Sequence, residues 1–163
     1  MPKGLIVKSS IHIKADTAAV WDALVNPEKI KQYLFGTETI SDWKVGSRIT
    51  YQGVWEGKSY EDGGTILQLV PEKIFQSTYW SSMSGTENIS DNYATVTYEL
   101  VKEGSGTLLT VTQDNCKTPE QQKHSESNWG MVLRSSRSAC FLHQPRRTKR
   151  EIAMYFVIST LIK

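Results

Sequence analysis

The stretch Ile11-His12-Ile13-Lys14-Ala15-Asp16-Thr17-Ala18-Ala19-Val20-Trp21-Asp22-Ala23-Leu24 decides the fold. Ile11 and Ile13 alternate with polar neighbours, the period of a strand with one buried face. Asp16 carries the kind of side-chain oxygen that caps a helix start. Val20, Trp21 and Leu24 follow at helical spacing, and Asn26-Pro27 stops that helix because the residue before a proline is pushed out of the helical region. A strand running straight into a short helix with a large aromatic predicts a curved sheet that begins near the N-terminus and is closed at one end by helix.

Working outward, Glu28 to Tyr33 reads as a second short helix ending near Gly36. The period then changes to two. Arg48 to Trp55 is a strand bounded by Gly46 and by Glu56-Gly57-Lys58, with Glu56-Gly57 as a hairpin turn. Tyr60 to Val70 is the next strand, in which Gly63-Gly64 marks a bulge or a close backbone approach. Pro71 separates it from Lys73 to Trp80, and Ser81 to Asn92 is a loop by composition. Tyr93–Val101 and Thr107–Gln113 form a hairpin around Lys102–Gly106. In it Val96, Tyr98 and Leu100 share one face and Thr95, Thr97 and Glu99 the other, as in an antiparallel sheet with one dry side. Thr118-Pro119-Glu120-Gln121 then opens a helix as a capping box with proline in the first turn. Trp129, Val132 and Leu133 supply its apolar stripe. The layout is one strand, two short helices, about six strands and one long helix, which has to bury its stripe against the sheet.

Composition bounds the function. The chain has 163 residues, 39% of them hydrophobic, enough for one domain with a real core. Five Trp and seven Tyr suit the walls of a ligand cavity as well as plain core packing. Cys116 and Cys140 make no disulfide framework, and Met1 to Ser10 has no apolar signal segment, so free thiols in the cytoplasm are the expectation. Asn88-Ile89-Ser90 matches a glycosylation acceptor but carries no meaning without secretion. Residues 1–137 hold 14 basic and 16 acidic side chains, so the body has no electrostatic reason to bind nucleic acid.

Catalytic patterns are weak. Cys116 and His124 flank a helix start, but nothing orients His124, so a nucleophile–base pair fails the test of geometry. His12, His124 and His143 lie in separate elements without ligand spacing, so no metal is expected. Gly63-Gly64 sits inside a strand, not at a strand-to-helix junction, and is no phosphate cradle. Glu61, Asp62 and Glu99 are the nearest approach to an acid–base set, and all three read as solvated. No catalytic residue and no cofactor follow from the residues.

The order and spacing of several short segments carry a resemblance. They are Val20-Trp21-Asp22-Ala23-Leu24 with Pro27-Glu28, Asp42-Trp43-Lys44-Val45-Gly46, Tyr60-Glu61-Asp62-Gly63-Gly64-Thr65-Ile66, Val70-Pro71-Glu72 with Tyr79-Trp80, Val96-Thr97-Tyr98-Glu99-Leu100, Leu109-Thr110-Val111-Thr112 and Asn128-Trp129-Gly130-Met131-Val132-Leu133. Over roughly residues 8–137 the chain resembles the Hsp90 ATPase activator homologue family, within the START/Bet v 1-like (SRPBCC) superfamily. The resemblance implies an α+β helix-grip fold: an antiparallel sheet wrapped around a long C-terminal helix, with a cavity between them. It implies no shared catalytic residues. It implies a non-enzymatic binding protein for a small apolar molecule, with a chaperone-associated module and a cyclase- or aromatase-type enzyme as alternatives. The last of these requires a buried ionisable group facing the cavity.

Expected cavity-lining residues are Trp43, Tyr51, Trp55, Ile66, Tyr79, Trp80, Tyr98, Trp129 and Val132. Tyr79 and Trp80 are adjacent on a strand and cannot both face inward.

Composition changes after Arg137. Residues 138–163 hold five basic side chains and one acid, with Arg146-Arg147-Thr148-Lys149-Arg150 followed by an apolar run, Ile152 to Ile162. That run is about half a bilayer span. Contact with an anionic membrane surface, weak nucleic-acid binding and an extra packing element are the readings open to this atypical tail. A shifted reading frame would also produce it, and an intact, in-frame 3′ end in the source gene excludes that origin.

Overall fold

Asp16 starts the first helix as its side chain allows: its Oδ1 accepts the Ala19 amide at 2.8 Å. The structure, a computed structural model, describes residues 2–34 and 36–139. The strand β1 (Leu5–Ile13) leads into α1 (Thr17–Val25) and α2 (Pro27–Tyr33). Asn26 ends α1 and its side chain caps α2 through the Glu28 amide, so one residue makes the corner between them. Six strands follow: β2 (Glu38–Ser41), β3 (Arg48–Trp55), β4 (Lys58–Val70), β5 (Ile74–Ser81), β6 (Ala94–Glu103) and β7 (Gly106–Cys116). The chain then enters α3 (Pro119–Ala139).

The seven strands form one antiparallel sheet in the order β1-β7-β6-β5-β4-β3-β2. The first and last strands of the sequence are therefore neighbours, and α3 returns from β7 to pack on β1, β7, α1 and α2. Its start is fixed by Thr118 Oγ1, which accepts the Gln121 amide at 3.2 Å, while the Gln121 side chain reaches back to the Lys117 amide at 2.8 Å. Ser125, Asn128, Trp129, Val132 and Leu133 make its buried stripe. The three apolar members contribute about 1.5–3 kcal/mol each on burial. Around them the larger core gathers Val7, Ile13, Val20, Leu24, Val96, Leu100, Leu109 and Val111. This is the helix-grip arrangement.

Turn chemistry sets the hairpins. Glu56 and Gly57 both have positive φ, 45° and 78°, and Trp55 pairs with Lys58, so the β3–β4 turn has two residues. The β6–β7 turn is also tighter than its composition predicts. Glu103 pairs with Gly106, leaving only Gly104-Ser105 as the loop where Lys102–Gly106 was expected. At Gly64 a Cβ would overlap the Thr78 carbonyl oxygen of β5, so the glycine pair marks a close approach. The register irregularity in this pair of strands falls later, between Ile66 and Gln68. The boundary that composition suggests after Arg137 falls within α3, whose backbone continues to Ala139. The remainder of the basic and apolar tail, residues 140–163, lies outside the described residues. No helix among the described residues is long and apolar enough to cross a membrane.

Candidate functional site

Between the sheet and α3 lies a cavity of about 50 Å³, measured as the space that the centre of a water can visit. At about 10–15 Å³ for one water, that is room for roughly four. Its apolar walls come from Leu24 of α1, Tyr33 and Leu34 at the end of α2, Phe75 of β5, Val96 of β6, and Trp129 and Val132 of α3. Thr37, Tyr51, Asp62, Ser77, Tyr79 and Tyr98 add polar atoms.

Strand parity builds the polar floor. On β5 the residues Phe75, Ser77, Tyr79 and Ser81 all point inward. On β4 the inward set is Tyr60, Asp62, Gly64 and Ile66. Asp62 pairs across the sheet with Tyr51 of β3 on one side and Ser81 of β5 on the other. It is 3% exposed and well supplied with donors. The Tyr79 hydroxyl donates to its Oδ2 at 2.8 Å, and the Ser81 hydroxyl and Ser82 amide donate to its Oδ1 at 2.8 and 3.1 Å. Burial pushes its carboxyl above the ordinary carboxylate range, against the pull of those donors. Burial, reinforced by the Asp62 charge, holds the Tyr79 phenol well above its ordinary value, so Tyr79 acts as a donor.

Two further tyrosines complete the floor. Burial raises the phenols of both Tyr51 and Tyr98, which therefore stay as O–H groups. Neither hydroxyl has a hydrogen-bond partner among the described residues. The rings are fixed by neighbours: Tyr51 lies 6.4 Å from Tyr79 between centroids, and Tyr98 stacks on Phe75 at 5.8 Å. Trp129 meets Tyr98 edge-on at 5.9 Å and donates its indole N–H to Gln113 Oε1 at 2.7 Å. At the rim the Thr37 hydroxyl donates to the Leu34 carbonyl at 2.6 Å and lies 3.0 Å from the Tyr60 hydroxyl. Burial pushes the Tyr60 phenol up to about 12.

Of the nine residues expected to line a cavity, the structure brings five together: Tyr51, Tyr79, Tyr98, Trp129 and Val132. The other four lie elsewhere. Ile66 is fully buried beside Ile49 and Phe75, in a solid part of the core, and Trp43 packs against that cluster with its ring 6.1 Å from Phe75. Trp55 shares Tyr51's parity but sits at the hairpin end of β3, opposite Lys58. Trp80 takes the outer face of β5, where it packs on Tyr93 and donates to Thr86 Oγ1 at 3.1 Å. This resolves the Tyr79–Trp80 pair in favour of Tyr79.

Asp62 is the main correction. Read as a solvated neighbour of Glu61, it is instead a buried carboxyl in the cavity wall. The strand begins at Lys58, which places Asp62 in its interior, and its parity with Tyr60 and Ile66 was the available signal. Glu61, of opposite parity, is exposed and pairs with Arg48 at 2.8 Å. Cys116 is buried, with its thiol 3.9 Å from Ser125 Oγ and raised by burial, whereas His124 is exposed on α3. Among the described residues no three of His, Cys, Asp and Glu gather as a metal site would need.

Comparisons with known proteins agree with this architecture. A protein from Cytophaga hutchinsonii with a solution structure is 44% identical, with a TM-score of 0.75 over 85% of this chain and 94% of that one. The Aha1 dimer from Colwellia psychrerythraea is 17% identical, with a TM-score of 0.67 over 86% of this chain and 99% of that one. DynU16, a protein of the dynemicin biosynthetic locus, is 14% identical, with a TM-score of 0.71 over 88% of this chain and 49% of that one. The last two likenesses concern the fold alone. No curated protein sequence matches the chain. The model of the family described as activator of Hsp90 ATPase homolog 1-like protein matches residues 14–136, three quarters of the sequence, and the chain belongs to that family.

Proposed function

We propose that the protein binds a small, largely apolar molecule in the cavity between the sheet and α3. The observation that carries this reading is the cavity itself. Apolar walls from five elements surround two half-buried tyrosines whose hydroxyls find no partner among the described residues. A site of mostly apolar walls with a few convergent polar groups is what small-molecule binding requires. The buried, free thiol of Cys116 suits a cytoplasmic setting. Native mass spectrometry of the purified protein, followed by titration with a hydrophobic probe, tests the reading. A co-purifying small molecule or saturable probe binding supports it; a protein that neither carries nor takes up any such molecule contradicts it.

A second reading rests on Asp62. A buried carboxyl facing the cavity is the feature a cyclase- or aromatase-type enzyme needs. Asp62 would take a proton from a carbon next to a carbonyl, the C–H electron pair would form the enolate, and the Tyr51 and Tyr98 hydroxyls would hold the developing oxyanion. Acceleration of α-hydrogen exchange of cyclohexanone in D2O, lost in Asp62→Asn, is the corresponding assay. Exchange equal to the buffer rate removes this reading. The family's name also suggests a chaperone partner. That is tested by adding the protein to an Hsp90-type chaperone and measuring ATP turnover, and an unchanged rate excludes it.

A further inference from the structure

The cavity's lining carries charge of one sign only. Its described lining contains one carboxyl, Asp62, and no Lys, Arg or His. The Asp62 Oδ1 atom already accepts from Ser81 and Ser82, whereas Oδ2 accepts only from Tyr79 and has capacity for a second donor. Tyr51 lies directly across the strand pair from Asp62, at a separation of about 5 Å between Cβ atoms for such neighbours. Its hydroxyl has no partner among the described residues. An acceptor on Asp62 and an unused hydroxyl on Tyr51 therefore line the same, mostly apolar cavity.

We infer that the ligand is a neutral molecule bearing a hydroxyl group, an alcohol or a phenol, whose oxygen donates to Asp62 Oδ2 and accepts from the Tyr51 hydroxyl. One hydroxyl oxygen satisfies both protein groups at once. A carboxylate or phosphate, by contrast, would bury a second negative charge beside Asp62 with no cation in the described wall to offset it. An ammonium group brings only donors and leaves the tyrosine hydrogen without an acceptor. Fatty acids and phosphorylated lipids are thus excluded from the site by the same carboxyl that recognises a hydroxyl.

This inference rests on the ligand-cavity reading, and four one-ring probes separate the two. Toluene, phenol, benzoate and benzylamine are titrated into the full chain at pH 7 and followed by NMR shifts of the cavity residues. Phenol binds at least as tightly as toluene, although a purely apolar cavity rejects an unpaired hydroxyl. Benzoate does not bind. Tyr51→Phe weakens phenol about fivefold relative to toluene, the usual worth of one neutral hydrogen bond. Asp62→Asn admits benzoate. Should Asp62→Asn fail to fold, the phenol-to-toluene ratio in Tyr51→Phe decides alone. Toluene binding with phenol rejected, benzoate binding as phenol does, or benzylamine binding tightest each overturns the hydroxyl inference while the cavity reading stands. Failure of all four probes overturns both.

Discussion

Removing a single oxygen, in Tyr79→Phe, tests the polar floor where it is most enclosed. The lost hydroxyl donates to Asp62 Oδ2 at 2.8 Å, and Asp62 is 3% exposed. A hydrogen bond to a charged group is worth about 1.5–3 kcal/mol net. Two features pull the cost toward the lower end. Asp62 keeps the Ser81 and Ser82 donors on its other oxygen, and the adjoining cavity of about 50 Å³ can admit a water to the vacated position. The expected loss at pH 7 is therefore about 1.5–2 kcal/mol, read as a fall in the urea midpoint of roughly 1 M at unchanged slope.

The loss also depends on pH with a definite sign. The Tyr79 bond favours the charged form of Asp62, whose carboxyl burial already raises above 3.8. Tyr79→Phe raises it further, so the deficit is full above both folded values and shrinks as pH falls through them. In an Asp62→Asn background the same substitution costs less, since the charge is gone. A loss below about 0.5 kcal/mol at pH 7, or one equally large at pH 4, refutes a charge-assisted bond between these side chains.

Three further substitutions bear on the frame around the site. Trp129→Phe leaves the Gln113 carbonyl oxygen buried without its 2.7 Å donor and should cost about 2–3 kcal/mol in thermal or urea unfolding; a loss under 1 kcal/mol contradicts the role given to the indole. Gly64→Ala drives a methyl into the Thr78 carbonyl oxygen across the β4–β5 pair and should destabilise by at least about 2 kcal/mol, whereas unchanged stability means the strands can separate there. Asp62→Asn should reshape the stability–pH curve. Because the folded carboxyl sits above 3.8, wild type gains stability relative to the variant as pH falls through the folded value toward 3.8, and parallel curves from pH 4 to 8 contradict the buried assignment.

Much of the fold was legible because local chemistry and global pattern agree. The Asp16 and Thr118 caps lie where the helices begin, and β3 runs from Arg48 to Trp55 between a glycine and a glutamate–glycine turn. The strand β2 was not singled out, because Glu38-Thr39-Ile40-Ser41 is four residues at a sheet edge with little alternation of polarity. The site was half legible. Aromatic residues of correct parity on β3, β5 and β6 could be named, but Trp55 shows that parity places a side chain on a face and not at a height along it. Ile66 shows that a branched chain on the right face can fill core instead, and Trp43, in the β2–β3 connection, packs on that same cluster. Asp62 was hidden by its neighbour: beside Glu61 it looks like half of a hydrophilic pair. Only the paired strands bring Tyr79, Ser81 and Ser82 to it and make burial of its carboxyl tolerable.

Intermolecular NOEs from toluene to the full chain test the ligand cavity most directly. Contacts from the bound ring to the methyl groups of Leu24, Val96 and Val132 and to the Trp129 indole are the predicted result, since these groups line the cavity. Saturable binding with NOEs only to exposed outer residues such as Val54 and Val101, or no NOEs at all, would contradict it.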